Sequence, residues 1–358
     1  MTPQCNRTMI NPNLNKDIAS IGMLRGIAAL MVCFYHFTWG SGGTLLPQSN
    51  ILMRIGLQGW SGVEVFFVIS GFIIPYSMFV NDYSLDKIFL FLKKRIIRIE
   101  PPYLISAILA IVLNYVSTLS PFYRGGPFKP DWWNALGHVA YLNAFTGRPW
   151  LNPVYWTLAL EFQYYILIAL LFGLVVSSKR YRRLLFFAGF IGASLVAPKN
   201  DSFIFYYAGY FLVGIVLFQF YCRIITKTEF LVLLLATCGV LFYRQGLFLF
   251  LLTGTTVSVI LFVKKVPAFM KWLGTISYSL YLLHALIGGR IMNLTEARVH
   301  SETLRGAMVF VALAVSVMCS ALYYRFIEKP FKVRAAMIKY DQHAPANGIV
   351  EASIPKPL

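Results

Sequence analysis

Arg25 and His36 are ionisable residues inside the first apolar stretch of the chain, LRGIAALMVCFYHF at residues 24–37. A helix turns by about 100° per residue, so eleven steps return to within about 20° of the same face, about 16 Å further along the axis. An arginine at the centre of a membrane helix costs about 2.5 to 3.5 kcal/mol, so such residues usually face a polar cavity and serve a pathway or a ligand. Alternatively, Arg25 reaches lipid phosphate by snorkelling. With His36 on the same face, a functional groove through the bilayer is favoured.

Glu64 lies near the start of the next apolar stretch, GWSGVEVFFVISGFII at residues 59–74. Two antiparallel helices joined by a short loop would place the Glu64 carboxylate and the His36 imidazole at similar depth. In that arrangement an acid can orient a histidine as a general base. The alternative is a buried structural ion pair.

Arg95 and Arg98 lie at positions i and i+3 of one predicted helical face, beside Lys94. Such a cluster binds phosphate groups through charge-assisted hydrogen bonds. It binds anionic lipid headgroups equally well, and as an isolated feature that alternative is favoured.

The elements that must hold these residues are membrane helices. Of the 358 residues, 58% are hydrophobic and 13% charged, and the mean hydropathy is +0.65. The apolar runs lack the alternation of barrel strands, which predicts an all-α, polytopic membrane protein. The first run reads as a helix rather than a removable signal peptide. We predict about ten spans, at residues 18–39, 57–80, 101–119, 153–176, 184–198, 202–222, 229–243, 246–264, 271–292 and 306–327.

The net charge of +18 would suggest nucleic-acid binding in a soluble protein, but here the distribution of the basic residues fits membrane topology better. The basic residues concentrate in alternate loops and in the C-terminal tail, which by the positive-inside rule places both termini in the cytoplasm. The five cysteines show no CxxC spacing, so neither a zinc site nor a disulfide framework is predicted.

Three other segments stand out. Residues 84–99 are predicted to form an amphipathic helix at the membrane surface, after which Pro101 and Pro102 start the next span. Residues 333–358 are polar and predicted to be a short, disordered cytoplasmic tail after a membrane domain at 1–332.

Residues 120–152 form a long outer loop whose aromatic residues either stack on sugar rings or belong to the interfacial belt, the favoured alternative. The candidates there are Trp132, Trp133, Tyr141, Asn143 and Trp150, whereas His138 is predicted to be a surface or packing residue.

Six motifs in order along the chain resemble the acyltransferase type 3 family. They are the spacing of Arg25 and His36, GVEVFFVISGF (62–72), KRIIRIEPPY (94–103), WTLALEFQYY (156–165), ISYSLYLLH (276–284) and IEKPF (327–331). The resemblance covers nearly the whole chain. Glu100 and Phe162 depart from it, where an aromatic residue and a second acid are common.

The resemblance implies a membrane O-acyltransferase of the bacterial inner membrane, with 1–332 as its acyltransferase domain. The acyl group, typically acetyl, would pass from cytoplasmic acyl-CoA to a hydroxyl of a glycan or glycolipid, such as an O-antigen or exopolysaccharide. Acyl-CoA would be a co-substrate, with no permanently bound cofactor and no metal.

The resemblance also implies roles for single residues. His36 would be the catalytic base or a transient acyl carrier, Glu64 its acidic partner, and Arg25, Arg95 and Arg98 the contacts for CoA phosphates. Glu161 and His284 would be supporting residues; the alternatives are an interhelical hydrogen bond for Glu161 and a packing histidine for His284. The alternative function is a transporter or channel that uses Arg25, His36 and Glu64 as an ion pathway.

Overall fold

The computed structural model describes residues 14–39, 45–120, 128–200 and 202–338. Of these residues 82% are helical and none is in a strand, so the predicted all-α class is confirmed. The helices are α1 (Leu14–Trp39), α2 (Ile51–Gly56), α3 (Gly62–Val80), α4 (Ile88–Thr118), α5 (Trp132–Gly137), α6 (Asn143–Thr146), α7 (Trp156–Val175), α8 (Arg180–Val196), α9 (Ala208–Tyr221), α10 (Lys227–Gln245), α11 (Leu247–Phe262), α12 (Ala268–Arg298), α13 (Glu302–Tyr323) and α14 (Lys329–Ala336).

Each of the ten predicted spans coincides with a helix. Seven helical segments in the described part of the chain are long and apolar enough to cross a membrane, and α11 is apolar but shorter. Helix α12 is long enough, yet Ser277, Ser279 and His284 lower its hydropathy, and all three are buried inside the protein. The chain is therefore a multi-pass membrane protein, while the count of ten and the cytoplasmic side of the termini stay predictions.

The predicted break at Pro101 is wrong. Helix α4 runs without interruption through Pro101 and Pro102 for 31 residues. Neither proline donates a backbone hydrogen bond, but hydroxyl groups from neighbouring helices bind the backbone around them. Tyr278 of α12 donates to the carbonyl oxygen of Ile99 at 2.9 Å, and Tyr323 of α13 donates to that of Pro102. These bonds tie α4 to α12 and α13 on either side of Pro101, whereas the carbonyl groups that the two prolines leave without an N–H partner are those of Ile97 and Arg98.

Helix α1 packs between α3 and α12 at two glycine contacts. A methyl group at Gly274 of α12 would lie 2.0 Å from the carbonyl oxygen of Gly22, and one at Gly62 of α3 would lie 2.4 Å from that of Ala28. Small residues allow membrane helices to approach this closely. The crossings bring the last turn of α1 beside α12 and the first turn of α3.

The loop at residues 128–152 packs around a buried histidine. The Nδ1–H group of His138 donates to the carbonyl oxygen of Asn134 at 2.8 Å, and its Nε2 accepts the backbone N–H of Leu151 at 3.1 Å. His138 is 1% exposed, as expected for a packing residue. Beyond α13, residues 329–336 are helical and 339–358 lie outside the described residues, so the boundary at 333 and the disordered tail stay predictions.

Candidate active site

The predicted site residues lie on the walls of two adjoining cavities. We call the first the arginine cavity; its volume is about 310 Å³, and it is lined by Arg25, Arg95, Arg98, Glu161 and Glu328 among others. We call the second the histidine cavity; its volume is about 440 Å³, and it is lined by His36, Glu64 and several aromatic residues. Val63 and Tyr281 line both. The single groove predicted from the sequence is therefore divided in two.

The arginine cavity brings together three guanidinium groups from two helices. Arg95 is buried, and its guanidinium lies 5.2 Å from the ring centre of Phe91 and 5.5 Å from that of Tyr165. Arg25 and Arg98 form no ion pair with any residue that the structure describes. Guanidinium groups gathered around a cavity in this way present several N–H donors to an anion.

The acids of this cavity are occupied by hydroxyl donors. Oε1 of Glu161 accepts hydrogen bonds from Ser70 Oγ of α3 at 3.0 Å and from Tyr165 OH at 2.7 Å. The interhelical hydrogen bond considered for Glu161 is thus present. Oε2 of Glu328 accepts bonds from Ser279 Oγ at 2.6 Å and from the Ser279 backbone N–H at 3.2 Å.

Among the described residues, Glu328 is the one charged residue in the lining of the arginine cavity for which the sequence predicted no role. It ends a π-helical turn, Tyr324–Glu328, and is 5% exposed. Such turns are frequent at functional sites. The available signal was an acid directly after the last apolar run, inside the IEKPF motif.

The histidine cavity is formed where the last turn of α1 meets the first turn of α3. His36 lies in the former and Glu64 in the latter, where the helix dipole favours a carboxylate. His36 forms no hydrogen bond with any described residue, so the predicted orientation of His36 by Glu64 stays a prediction. The imidazole of His36 is available to a ligand in this cavity.

His284 lies against His36 without lining either cavity. The centres of the two rings are 5.1 Å apart. His284 is 0% exposed, and its Nδ1–H donates to the carbonyl oxygens of Leu280 and Tyr281 at 3.1 and 2.8 Å. Because the proton is on Nδ1, Nε2 has a free lone pair, and it has no hydrogen-bond partner among the described residues.

The aromatic residues of the histidine cavity are not those considered as sugar-stacking candidates. Trp132 and Trp133 are exposed at the surface, whereas Tyr141 and Asn143 are buried inside the loop and Trp150 packs on His138. None of these five residues lines either cavity. The aromatic lining consists of Tyr35, Trp60, Trp156, Tyr206, Tyr207 and Tyr281.

Comparison with known proteins finds relatives that are named O-acetyltransferases. The chain is 23% identical to a peptidoglycan O-acetyltransferase of Listeria monocytogenes, over 88% of this chain and 56% of that protein. A Bacillus subtilis protein provisionally named a peptidoglycan O-acetyltransferase is 26% identical over 89% of this chain and 56% of its own length. A Staphylococcus aureus protein provisionally named an O-acetyltransferase is 24% identical over 88% and 57%.

The chain thus spans little more than half the length of these relatives. No solved structure matches it. Residues 18–325, most of the chain and all of the residues named above in the two cavities except Glu328, match the model described as an acyltransferase domain. The chain therefore belongs to the acyltransferase type 3 family.

Proposed function

We propose that this protein is a membrane O-acetyltransferase that moves an acetyl group from cytoplasmic acetyl-CoA to a hydroxyl of an extracytoplasmic or lipid-linked glycan. The single observation that carries the proposal is the pair of adjoining cavities, one rich in guanidinium groups and one holding a free imidazole. The names of the relatives support acetyl as the group and a glycan as the acceptor. A bacterial inner membrane would give the protein access to both substrates.

The arginine cavity would hold the phosphates of CoA. Because hydroxyl and backbone donors already bind Glu161 and Glu328, the guanidinium groups of Arg25 and Arg98 remain available for an anion. Arginine pairs well with phosphate through several parallel N–H donors. The pantetheine arm of CoA is comparable in length to the predicted axial separation of Arg25 and His36, about 16 Å along a helix. It would let the thioester approach His36.

In the histidine cavity, His36 would act as a general base. Its neutral imidazole would take the proton of the acceptor hydroxyl as that oxygen attacks the thioester carbonyl carbon. The new C–O bond forms, the C–S bond breaks, and the imidazolium returns the proton to the departing CoA sulfur. A second route places the acetyl group on His36 first and then on the hydroxyl.

His284 would be a positioning residue for His36. Its Nε2 lone pair is buried next to the ring that gains a positive charge during the reaction. A neutral imidazole with an unpaired nitrogen, next to a developing cation, would stabilise that cation in a site that excludes water. Glu64, on the wall of the same cavity, would supply the negative charge that balances the imidazolium.

The test is the incorporation of label. Membranes containing the protein are incubated with radiolabelled acetyl-CoA, the glycan fraction is counted, and solute flux is measured in parallel. We expect alkali-labile label in the glycan that depends on the protein, without protein-dependent flux. Flux without label would contradict the proposal and favour the transporter or channel.

Chemical analysis of the surface polysaccharide gives the acceptor. Cells with and without the protein should differ by one O-acetyl ester, and its position identifies the sugar hydroxyl. Identical ester content in both samples would contradict a glycan acceptor.

A further inference from the structure

The wall between the two cavities contains Val63 and Tyr281, which line both of them. Val63 lies in the first turn of α3, directly before Glu64. Tyr281 lies in α12, one turn before His284, and its ring centre is 5.9 Å from that of His284. These two side chains therefore lie where the contents of one cavity meet those of the other.

This wall is held firmly in place. The Tyr281 hydroxyl lies 2.7 Å from Oγ1 of Thr157 and donates to the carbonyl oxygen of Val154 at 3.1 Å. Its ring packs edge-on against Phe66 at 5.8 Å. Val63 and Tyr281 are 9% and 6% exposed, so apart from the parts that line the cavities, both side chains are packed against neighbouring residues. In a close-packed protein interior, such a wall does not move aside without disturbing its neighbours.

The chemistry of the donor determines which group meets this wall. In an acyl-CoA the acyl group is at the end opposite the phosphates, so it is the leading end of a molecule anchored in the arginine cavity. To bring the thioester carbon to His36, the acyl group has to pass, or lie against, Val63 and Tyr281. Each methylene that does not fit costs discrimination of about 10- to 200-fold when pocket walls are rigid.

We infer that Val63 and Tyr281 form an acyl-length filter that restricts the donor to short acyl groups. This inference rests on the proposed function and adds to it a part of the molecule that sets donor specificity. Val63 acts by the volume of its side chain. Tyr281 acts by the position of its ring, and its hydroxyl only holds the ring in place.

The test is a competition between donors. Membranes containing the full chain receive equimolar acetyl-CoA and butyryl-CoA, the membranes' own glycan is the acceptor, and acetate and butyrate released by alkali are quantified. The product ratio reports relative kcat/KM and does not depend on how much of a variant is folded. The variants are Val63→Ala, Val63→Leu and Tyr281→Phe, with Ile73→Ala as the matched control. Ile73 is on the same helix and lines the arginine cavity alone.

We expect the wild type to prefer acetyl over butyryl by at least about 10-fold. Val63→Ala should lower this preference about 10-fold and Val63→Leu should raise it. Tyr281→Phe, which releases the ring from Thr157 and Val154, should lower the preference by a smaller factor, and Ile73→Ala should leave it unchanged. Equal use of both donors by the wild type would overturn the filter while leaving acyl transfer in place. So would a shift in Ile73→Ala as large as that in Val63→Ala. No ester from either donor would instead contradict the proposed function itself.

Discussion

The two cavities of this protein differ in the kind of side chain that lines them. The arginine cavity contains three guanidinium groups and two acids, and the acids are already bound by Ser70, Tyr165 and Ser279. The histidine cavity contains one imidazole, one acid and one lysine, and most of its remaining wall is aromatic. The first arrangement suits a highly charged ligand such as a CoA phosphate. The second suits a ligand with hydroxyl groups and apolar faces, such as a sugar. Donor binding is therefore assigned to the arginine cavity and the chemical step to the histidine cavity.

Replacing His36 should have the largest effect. Because a positioned general base contributes about 10²- to 10⁴-fold, His36→Ala should lower kcat by that factor and leave the KM for acetyl-CoA nearly unchanged. The measurement is transfer of labelled acetyl to glycan at several donor concentrations. His300→Ala, in an exposed histidine outside both cavities, is the control and should retain wild-type activity. Transfer by His36→Ala at the wild-type rate would contradict the assignment of the chemical step to the histidine cavity.

Reversing a charge in the arginine cavity should change donor binding. Arg98→Glu places a carboxylate where phosphate is expected to bind, so the KM for acetyl-CoA should rise by about 10-fold or more, while thermal stability changes little. Arg182→Glu is the matched control, because Arg182 is an exposed arginine on α8 that lines neither cavity. An equal rise in KM for both variants would mean that basic residues at the membrane surface attract acetyl-CoA in general, without a specific site in the arginine cavity.

His284→Phe should have a smaller effect, confined to the histidine cavity. The substitution keeps an aromatic ring beside His36 but removes the Nε2 lone pair, so kcat should fall about 10-fold as the imidazolium becomes harder to form. The pH profile of kcat should shift, whereas the KM for acetyl-CoA should stay unchanged. His284→Gln, which returns a polar acceptor, should recover part of the activity. A change in KM without a change in the pH profile would show that His284 serves packing alone.

Lowering the pH should disturb the histidine cavity before the arginine cavity. This effect should be smaller than those of the three substitutions above. Burial lowers the pKa of His138 below its ordinary value, and the hydrogen bond to the Asn134 carbonyl offsets this only in part. Below about pH 6.5 the unfolded loop binds a proton that the folded loop does not, so the stability that His138 gives the loop falls as the pH is lowered. Protonation of Nε2 also removes the bond from Leu151 N–H, two residues before Pro153 of the histidine cavity.

Hydrogen exchange at pH 7 and pH 5, corrected for intrinsic rates, measures this effect. Exchange at residues 150–152 should increase at pH 5, and α3 residues 69–77 beside the arginine cavity should not change. His138→Gln should remove the pH dependence. Equal changes beside both cavities would contradict a local origin.

Local patterns predicted much of the fold. The apolar runs predicted the helices, and the predicted pairing of α1 with α3 placed His36 and Glu64 together, as their shared cavity shows, although residues 40–61 connect the two helices. The continuity of α4 through Pro101 and Pro102 could not be predicted from local propensity, because α4 lies in a packed bundle where Tyr278 and Tyr323, more than 150 residues away, bind its backbone. Sequence propensity describes Pro101 correctly as a residue that cannot donate, but it does not describe the helices that pack against it.

The site was predicted in parts and not as a whole. The spacing of Arg25 and His36 indicated one face of α1, yet the division into two cavities comes from Val63 and Tyr281 on two other helices. The contact between His36 and His284 similarly depends on how α1 packs against α12. Contacts of this kind are set by tertiary packing, which hydrophobic periodicity does not encode.

Binding of a non-reactive CoA thioether tests the division of labour between the two cavities most directly. The dissociation constant of S-propyl-CoA is measured for the wild type, His36→Ala and Arg98→Glu, together with acetyl transfer by each. We predict that His36→Ala binds the thioether like the wild type while losing transfer, and that Arg98→Glu binds it at least about 10-fold more weakly. Wild-type binding by Arg98→Glu, or equal loss of binding in both variants, would contradict the assignment of donor binding to the arginine cavity.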